Sequence, residues 1–222
     1  MTASKEIILS SIVDVGVIPI VRTVSAEQAL QAAKAICRGG VRTLEVTMTV
    51  PGAIHVLEEV ADEYGDEIIL GAGTVLDAET ARICILAGAQ FLVSPSLSVP
   101  SIEMANRYSK ISIPGALTPT EVHQAWEAGA DLIKIFPVGN VGGPDYLRSL
   151  KAPLPQVRMV PTGGVTIDNM SEYFLAGASA VAVGAAIVSG NTLDTGRYAE
   201  IETKAKEFLE IASEAKKQRT EN

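Results

Sequence analysis

A lysine in the middle of an apolar strand is the first feature of this chain that could do chemistry. Lys134 lies within the segment D-L-I-K-I-F-P, residues 131–137, which otherwise is typical of a strand in a sheet interior. Moving an ammonium group away from water is unfavourable. Two interpretations are open. The side chain reaches a carboxylate or solvent, or it is kept in an apolar place where a lysine amine becomes a nucleophile.

A carboxylate shows the same anomaly in another strand. Glu45 interrupts the run T-L-E-V-T. If both strands are parallel members of one barrel, Glu45 and Lys134 can meet at its mouth. A buried salt bridge would explain the pair structurally, but such a bridge contributes little to stability. The pair therefore strengthens the catalytic interpretation until it stands level with the structural one.

The elements that must position these residues repeat a short apolar strand followed by an amphipathic helix. Eight units share 222 residues, about 28 each, a size typical of a small βα barrel. Strands are predicted to begin near Val17, Thr43, Ile68, Phe91, Ile111, Leu132, Val157 and Ala180. Helices are predicted at residues 25–38, 51–64, 78–87, 99–108, 119–128, 144–150, 167–176 and about 195–217.

A closed barrel is favoured over a doubly wound open sheet. Four segments, RGGVRTLEV, LAGAQFLV, EAGADLIKI and LAGASAVAV, repeat the same passage from a helix through glycine into a strand. This short, even rhythm favours closure. We predict an α/β fold, a single-domain (β/α)8 TIM barrel over residues 1–222. Residues 1–15 should hold an N-terminal cap helix, and residues 216–222 a frayed tail.

The loops that follow the strands are where barrel enzymes place their chemistry. Glycine-rich stretches follow the last two predicted strands, and Gly163, Gly164 and Gly184 could offer backbone N–H groups to a phosphate. Tight turns would require the same glycines. Arg22, which ends the first strand, could hold a carboxylate by a bidentate contact, or it could be an ordinary surface arginine.

Composition and charge argue against several other functions. The net charge is −8 and there is no long Lys/Arg run, so we expect no nucleic-acid partner. No apolar segment approaches a membrane span, and no signal-peptide pattern is found. Cys37 and Cys84 offer no disulfide framework, so we expect a cytoplasmic location. His55 and His123 lack partners at ligand spacing, so no metal site is predicted.

The chain resembles a known family through seven motifs in order: GGVRTLEVTMTVP, GAGTVL, GAQFLVSP, PGALTPTE, KIFPVGNVGGP, VPTGGV and AVGAAIV. They are similar to those of the class I aldolases that cleave 2-keto-3-deoxy-6-phosphogluconate (KDPG) and 4-hydroxy-2-oxoglutarate (KHG). The resemblance covers almost the whole chain. It implies a homotrimeric (β/α)8 barrel that forms a lysine Schiff base with a small keto acid. It also implies pyruvate as one product and no metal or other cofactor.

The resemblance further implies roles for individual residues. Lys134 would be the Schiff-base lysine, and Glu45 the acid/base that passes protons through a water. The residues implied to bind the substrate are Arg22, Thr49, Thr74, Pro95, Phe136 and Thr162. Those implied to bind a phosphate are Gly163, Gly164, Gly184 and Ala185.

Two positions depart from part of the family. Thr49 stands where some members carry an arginine, which leaves Arg22 as the partner of the substrate carboxylate. Ala185 stands where a serine hydroxyl often adds to the phosphate site, so one donor is lost. The sequence thus leaves open whether the substrate is phosphorylated. It also leaves open a phosphate-binding barrel isomerase or synthase, and a non-catalytic trimeric barrel that binds sugar acids.

Overall fold

Parallel strands curl into a barrel, as the repeated strand–helix pattern predicts. The computed structural model describes residues 4–221, with side-chain surroundings through residue 218. Pro114 divides the fifth barrel strand into two segments, because proline has no N–H to donate to a ladder. The strand segments are β1 (Val17–Val21), β2 (Thr43–Thr47), β3 (Ile69–Gly73), β4 (Phe91–Val93), β5 (Ile111–Ile113), β6 (Gly115–Ala116), β7 (Ile133–Ile135), β8 (Met159–Pro161) and β9 (Val181–Val183).

Two hydrogen-bonded arcs of strands join into one ring. The first arc has the order β5-β4-β3-β2-β1-β9, and the second has the order β6-β7-β8. A parallel bridge between Thr162 and Ala182 links β8 to β9. On the other side, the amides of Asp131 and Leu132 donate to the carbonyl of Ser112 in β5. The predicted (β/α)8 TIM barrel is confirmed.

Helices follow the strands and pack outside them. Among the described residues, no helix is both long and apolar enough to cross a membrane. The helices are α1 (Lys5–Val15), α2 (Ala26–Arg38), α3 (Ala53–Tyr64), α4 (Ala78–Leu86), α5 (Val99–Arg107), α6 (Pro119–Glu127), α7 (Gly143–Lys151), α8 (Met170–Leu175), α9 (Gly190–Asp194) and α10 (Tyr198–Glu221), with 3-10 turns at Gly65–Glu67 and Val138–Val141.

The C-terminal region differs from the sequence-based expectation. The short helix α9 was not predicted, because five residues beginning with glycine carry no helical periodicity and glycine is a poor helix former. The Ser189 side chain nevertheless caps it by accepting a hydrogen bond from the Thr192 amide. Helix α10 continues to Glu221, so residues 216–221 extend it. Fraying of this end stays a prediction, and position 222 lies outside the described residues.

The cap helix α1 fills the amino-terminal end of the barrel. Ile8 and Ile12 pack with inward-facing strand residues in one apolar cluster. Lys5 forms an ion pair with Asp131 just before β7, with 2.9 Å between Nζ and Oδ2. At the other end of α1, Lys216 from α10 donates to the Asp14 carbonyl. The expected cap helix is thus present from Lys5, while residues 1–3 lie outside the described chain.

This packing predicts that Ile12→Ala weakens the fold much more than Ile7→Ala on the same helix. Ile12 is 0% exposed and Ile7 is 58% exposed. Emptying a buried isoleucine site should lower the free energy of unfolding by about 2–5 kcal/mol. An exposed truncation should change it by about 0.5 kcal/mol or less. Urea unfolding measures both, and equal losses would contradict the role of α1 as an interior plug.

Candidate active site

The barrel brings Glu45 and Lys134 into its interior from opposite arcs. Glu45 of β2 pairs in register with Ile20 of β1, and Lys134 of β7 pairs with Val160 of β8. Ile20 and Val160 both belong to the apolar cluster inside the barrel. Paired residues in a ladder point to the same face of the sheet. Both ionisable side chains therefore point inward, and they are only 1% and 5% exposed.

Glu45 is a carboxylate held almost entirely away from water. Burial raises the pKa of its carboxyl above the ordinary value of 4.5, and the positive charges of Lys134 and Arg22 oppose that rise. Its Oε2 atom is buried and accepts no hydrogen bond from the described residues. An unpaired buried acceptor is unfavourable for stability. The site therefore keeps a proton acceptor whose protonated form persists above the usual pH range of a glutamate.

Lys134 presents its amine between an aromatic ring and a cavity. Its Nζ atom lies 5.0 Å from the centroid of the Phe136 ring. In the described part of the chain, no carboxylate lies within ion-pair distance of this amine. Its backbone N–H donates to the carbonyl of Pro114, which fixes the strand beneath it. The amine is therefore positioned by its strand and not bound to a neighbouring acid.

A cavity of about 700 Å³ opens at the carboxyl ends of the strands beside this amine. Two of its lining side chains are cationic and none is acidic, so the cavity suits an anionic ligand. Its walls come mainly from β7, β8, β9 and the end of β1. The lining residues are Ile20, Arg22, Lys134, Phe136, Thr162, Gly163, Gly164, Val165, Thr166, Ala182, Val183, Gly184, Ala185, Ala186, Val188 and Gly190.

Most of the sequence-predicted site residues line this cavity. Besides Lys134, these are Arg22, Phe136, Thr162, Gly163, Gly164, Gly184 and Ala185. Eight further lining residues were not predicted, among them Ile20, Thr166 and Val188. Ile20 could have been found from strand alternation, since it lies two residues before Arg22. Thr166 and Val188 lie in loops, where spacing gives no such signal.

Four predicted residues lie outside the cavity lining. One is Glu45 itself, which is buried deeper on β2. Thr49 is exposed, and its hydroxyl lies 2.8 Å from that of Thr47. Pro95 is half-buried, and its backbone packs so closely on Gly115 that a Cβ there would lie 2.3 Å from the Pro95 carbonyl carbon. Thr74 is also half-buried, at the end of β3.

Thr74 has a strained backbone. Its φ of 58° lies in the left-handed region, which β-branched residues rarely adopt. Such strain persists only where the surroundings impose it, and it is concentrated at functional sites. The hydrogen bond from the amide of Val75 to the carbonyl of Val93 fixes the chain immediately after it. A role for Thr74 in the site stays a prediction.

The glycine-rich loop after β8 is held by contacts with the 3-10 turn that follows β7 and with Asn169. Gly163 and Gly164 have φ values of 85° and 89°, which favour glycine. The amide of Gly139 donates to the Gly163 carbonyl, and the side chain of Asn169 donates to the Gly164 carbonyl. A Cβ on Gly164 would lie 3.0 Å from the Cα of Gly139. The tight turns therefore require these glycines, whether or not their amides also bind an anion.

Comparison with known proteins identifies the family. The family model described as KDPG and KHG aldolase matches residues 8–204. The chain belongs to this aldolase family. The KHG/KDPG aldolase of Escherichia coli (strain K12) is 36% identical over 197 residues, which cover 88% of this chain and 92% of that protein. The 2-dehydro-3-deoxy-phosphogluconate aldolase of Treponema pallidum (strain Nichols) is 33% identical, over 89% and 93% of the two chains.

A solved aldolase structure has the same fold over nearly its whole length. The KDPG aldolase of Legionella pneumophila, with pyruvate captured at low pH as a covalent carbinolamine, matches with a TM-score of 0.83 and 28% identity. The match covers 93% of this chain and 98% of that one. The resemblance drawn from the seven motifs is confirmed, and so is the lyase class. The aldolase interpretation is thereby favoured over a barrel isomerase or synthase and over a non-catalytic barrel.

The buried state of Glu45 predicts a dependence of stability on pH. Its pKa is higher in the folded chain than the ordinary value of 4.5, so the folded state holds the proton more tightly. Glu45 thus contributes stability below pH 4.5 that is lost as the pH rises through the folded pKa. Glu45→Gln carries no such proton. We therefore expect its free energy of unfolding to rise relative to wild type as the pH rises above 4.5.

Chemical denaturation at a series of pH values measures this difference. Glu103→Gln is the matched control, because Glu103 is exposed on α5. Its stability should follow that of wild type across the same range. Parallel curves for Glu45→Gln and Glu103→Gln would show that the buried carboxyl does not cause the pH dependence.

Proposed function

We propose that this protein is a class I aldolase that reversibly cleaves a 2-keto-3-deoxy or 2-keto-4-hydroxy acid to pyruvate and an aldehyde. The observation that carries the proposal is the pair of buried, inward-facing ionisable residues, Lys134 and Glu45, at the cavity end of a barrel of this family. The proposed substrates are KDPG, which gives glyceraldehyde 3-phosphate, and 4-hydroxy-2-oxoglutarate, which gives glyoxylate.

In the first step, Lys134 traps the keto acid. Its neutral amine attacks the C2 carbonyl carbon and forms a carbinolamine. Loss of the C2 hydroxyl as water then gives a protonated imine. Glu45, in its protonated form, supplies the proton for this dehydration, directly or through a water. The raised pKa of Glu45 suits this role, because the carboxyl group keeps its proton to higher pH than an ordinary glutamate does.

In the second step, the carbon–carbon bond breaks. Glu45, now a carboxylate, removes the proton from the C4 hydroxyl. The C4 carbonyl of the aldehyde forms as the C3–C4 bond breaks. The electron pair of the broken bond moves through C3 and C2 to the imine nitrogen. Glu45, directly or through a water, returns this proton to C3 of the resulting enamine. One water molecule then hydrolyses the imine, which releases pyruvate and the free Lys134 amine.

The remaining residues would hold the substrate in place. Arg22 lies close enough to affect the pKa of Glu45, so its guanidinium can hold the substrate carboxylate near the reacting carbon. Phe136 packs beside the Lys134 amine and would cover the pyruvyl group. Thr162 lines the same cavity and would contact the substrate. Thr49, Thr74 and Pro95 stand outside the cavity lining, so their proposed role is to shape the rim around the substrate.

The far end of the substrate would lie against the glycine-rich loops. Gly163, Gly164, Gly184 and Ala185 line this part of the cavity, and their backbone amides are proposed to bind a phosphate or a second carboxylate. Ala185 brings no hydroxyl to this contact. The helices after these loops are short, six residues for α8 and five for α9, so they add little dipole. The phosphorylated and unphosphorylated acids are therefore both proposed substrates.

We also propose that the reaction needs no metal or other cofactor, because the imine itself accepts the electron pair. Among the described residues, His, Cys, Asp and Glu nowhere gather in groups of three that could hold an ion. The proposed assembly is a homotrimer, and the proposed location is the cytoplasm. Neither nucleic acid nor membrane is a proposed partner.

Trapping with borohydride tests the nucleophile. We expect incubation with pyruvate and borohydride to add one reduced adduct per chain, at Lys134, because borohydride reduces the imine to a stable amine. Peptide mass spectrometry locates the adduct. Lys134→Met should give no adduct, whereas Lys206→Met, a change at an exposed lysine of α10, should be labelled like wild type. Labelling at another lysine would disprove the assignment.

Replacing the acid tests the second role. We expect Glu45→Gln to form the imine slowly and to lose at least about 100-fold in turnover, the usual contribution of a general acid/base. Pyruvate release in a coupled assay measures turnover, and borohydride trapping measures imine formation. Glu103→Gln serves again as the control. Turnover at the wild-type rate in Glu45→Gln would mean that another group moves the protons.

A further inference from the structure

The inner face of β3 is almost bare of side chains. After Ile69, the inward positions of this strand are Gly71 and Gly73, two residues apart. Neighbouring strands fill the space that these glycines leave. The ring of Phe91 lies over Gly71, and the carboxyl group of Glu45 lies over Gly73. The space left by the two missing side chains of β3 is thus filled by one side chain from each neighbouring strand.

The contact at Gly73 is closer than any side chain would permit. A Cβ at this position would lie 1.9 Å from Oε1 of Glu45 and 2.5 Å from its carboxyl carbon. Real Cβ atoms do not approach other heavy atoms so closely. The φ of Gly73 is outside the left-handed region, so its backbone alone would accept alanine. The lack of space for a side chain, and not the backbone conformation, therefore requires glycine here.

The register shows how Glu45 reaches this point. Glu45 is paired with Gly71, and Thr47 is paired with Gly73. The carboxyl group therefore leans along the strand direction, two residues toward the barrel mouth, as strand side chains tend to do. The carbonyl of Gly73 accepts a hydrogen bond of 2.8 Å from the amide of Met48, which holds β3 against β2. A Cβ added at Gly73 would therefore displace the flexible side chain of Glu45 rather than separate the two strands.

We propose that Gly73 is a positioning residue for the reaction: its lack of a side chain sets the place of the Glu45 carboxylate at the barrel mouth. The inference rests on the proposed acid/base role of Glu45. Gly73 itself contacts no substrate and acts only through Glu45. A methyl group there would push the carboxylate out of the strand wall and toward the open cavity.

Gly73→Ala tests this through kinetics and pH. We expect kcat to fall by about 100-fold, the effect of a misplacement of about 1 Å, while KM changes much less. Imine formation with pyruvate should persist, since Lys134 is unchanged. The displaced carboxyl group would be better hydrated and would lose its proton at lower pH. The alkaline limb of the kcat/KM profile, where the required protonated form of Glu45 is lost, should therefore move to lower pH. If Gly73→Ala only destabilised the fold, a smaller fraction of the protein would be active, but that limb would stay at the same pH.

Gly71→Ala is the matched control on the same strand. A Cβ at Gly71 would lie 2.1 Å from the Phe91 ring, an equally severe overlap that does not involve Glu45. We expect Gly71→Ala to lower Tm but to leave the alkaline limb where wild type has it. If Gly71→Ala moves the limb as far as Gly73→Ala does, general disturbance of β3 accounts for both, and the proposal is overturned.

A stability cycle keeps the proposal testable even if Gly73→Ala folds poorly. In a Glu45→Ala background the overlapping carboxyl group is gone. Gly73→Ala should therefore lower Tm much less in that background than in wild type. An equal fall in both backgrounds would show that Glu45 is not what the new methyl group meets.

The outcomes for Gly73 and for the aldolase proposal are distinguishable. Wild-type protein that neither releases pyruvate nor is trapped at Lys134 would refute the proposed function. Wild-type protein that does both, with a Gly73→Ala variant of unchanged kcat and pH profile, would refute only the positioning role of Gly73.

Discussion

The desolvation of the Glu45 carboxyl is the interaction on which the rest of the site depends. A carboxylate in an apolar barrel is unfavourable, and the two nearby cations, Lys134 and Arg22, offset only part of that cost. The result is an acid that keeps its proton to higher pH and an acceptor oxygen with no partner among the described residues. Both properties are useful to a catalyst that must give a proton in one step and take one in the next.

The scaffold maintains this unfavourable arrangement by packing the barrel interior around it. The cap helix α1 fills the far end of the barrel with Ile8 and Ile12. Phe91 occupies the space above Gly71, and the parallel ladder of β2 and β3 holds Gly73 beneath the carboxyl group. The cavity opens beside the Lys134 amine and leaves that side of the barrel interior accessible. The apolar packing around Glu45 offsets the destabilisation that burial of its carboxyl group causes.

Much of this organisation could be predicted from the sequence because it depends on local periodicity. Eight apolar runs of strand length, separated by amphipathic helices, predicted the barrel, and the structure confirms it. The strand anomalies at Glu45 and Lys134 were visible as single charged residues inside apolar runs. The short helix α9 was missed because a few residues carry too little periodicity, and Thr166 and Val188 were missed because loops have none.

The sequence by itself determined that Glu45 and Lys134 would be buried, because both faces of a parallel barrel strand are covered, one by the barrel interior and the other by helices. It could not place Thr49, Thr74 and Pro95, which lie outside the cavity lining. Their positions depend on loop conformations such as the left-handed φ of Thr74. Only the tertiary structure decided that Glu45 lies over Gly73. That contact is set by the register of β2 on β3 and by the lean of one side chain, and neither is encoded in local spacing.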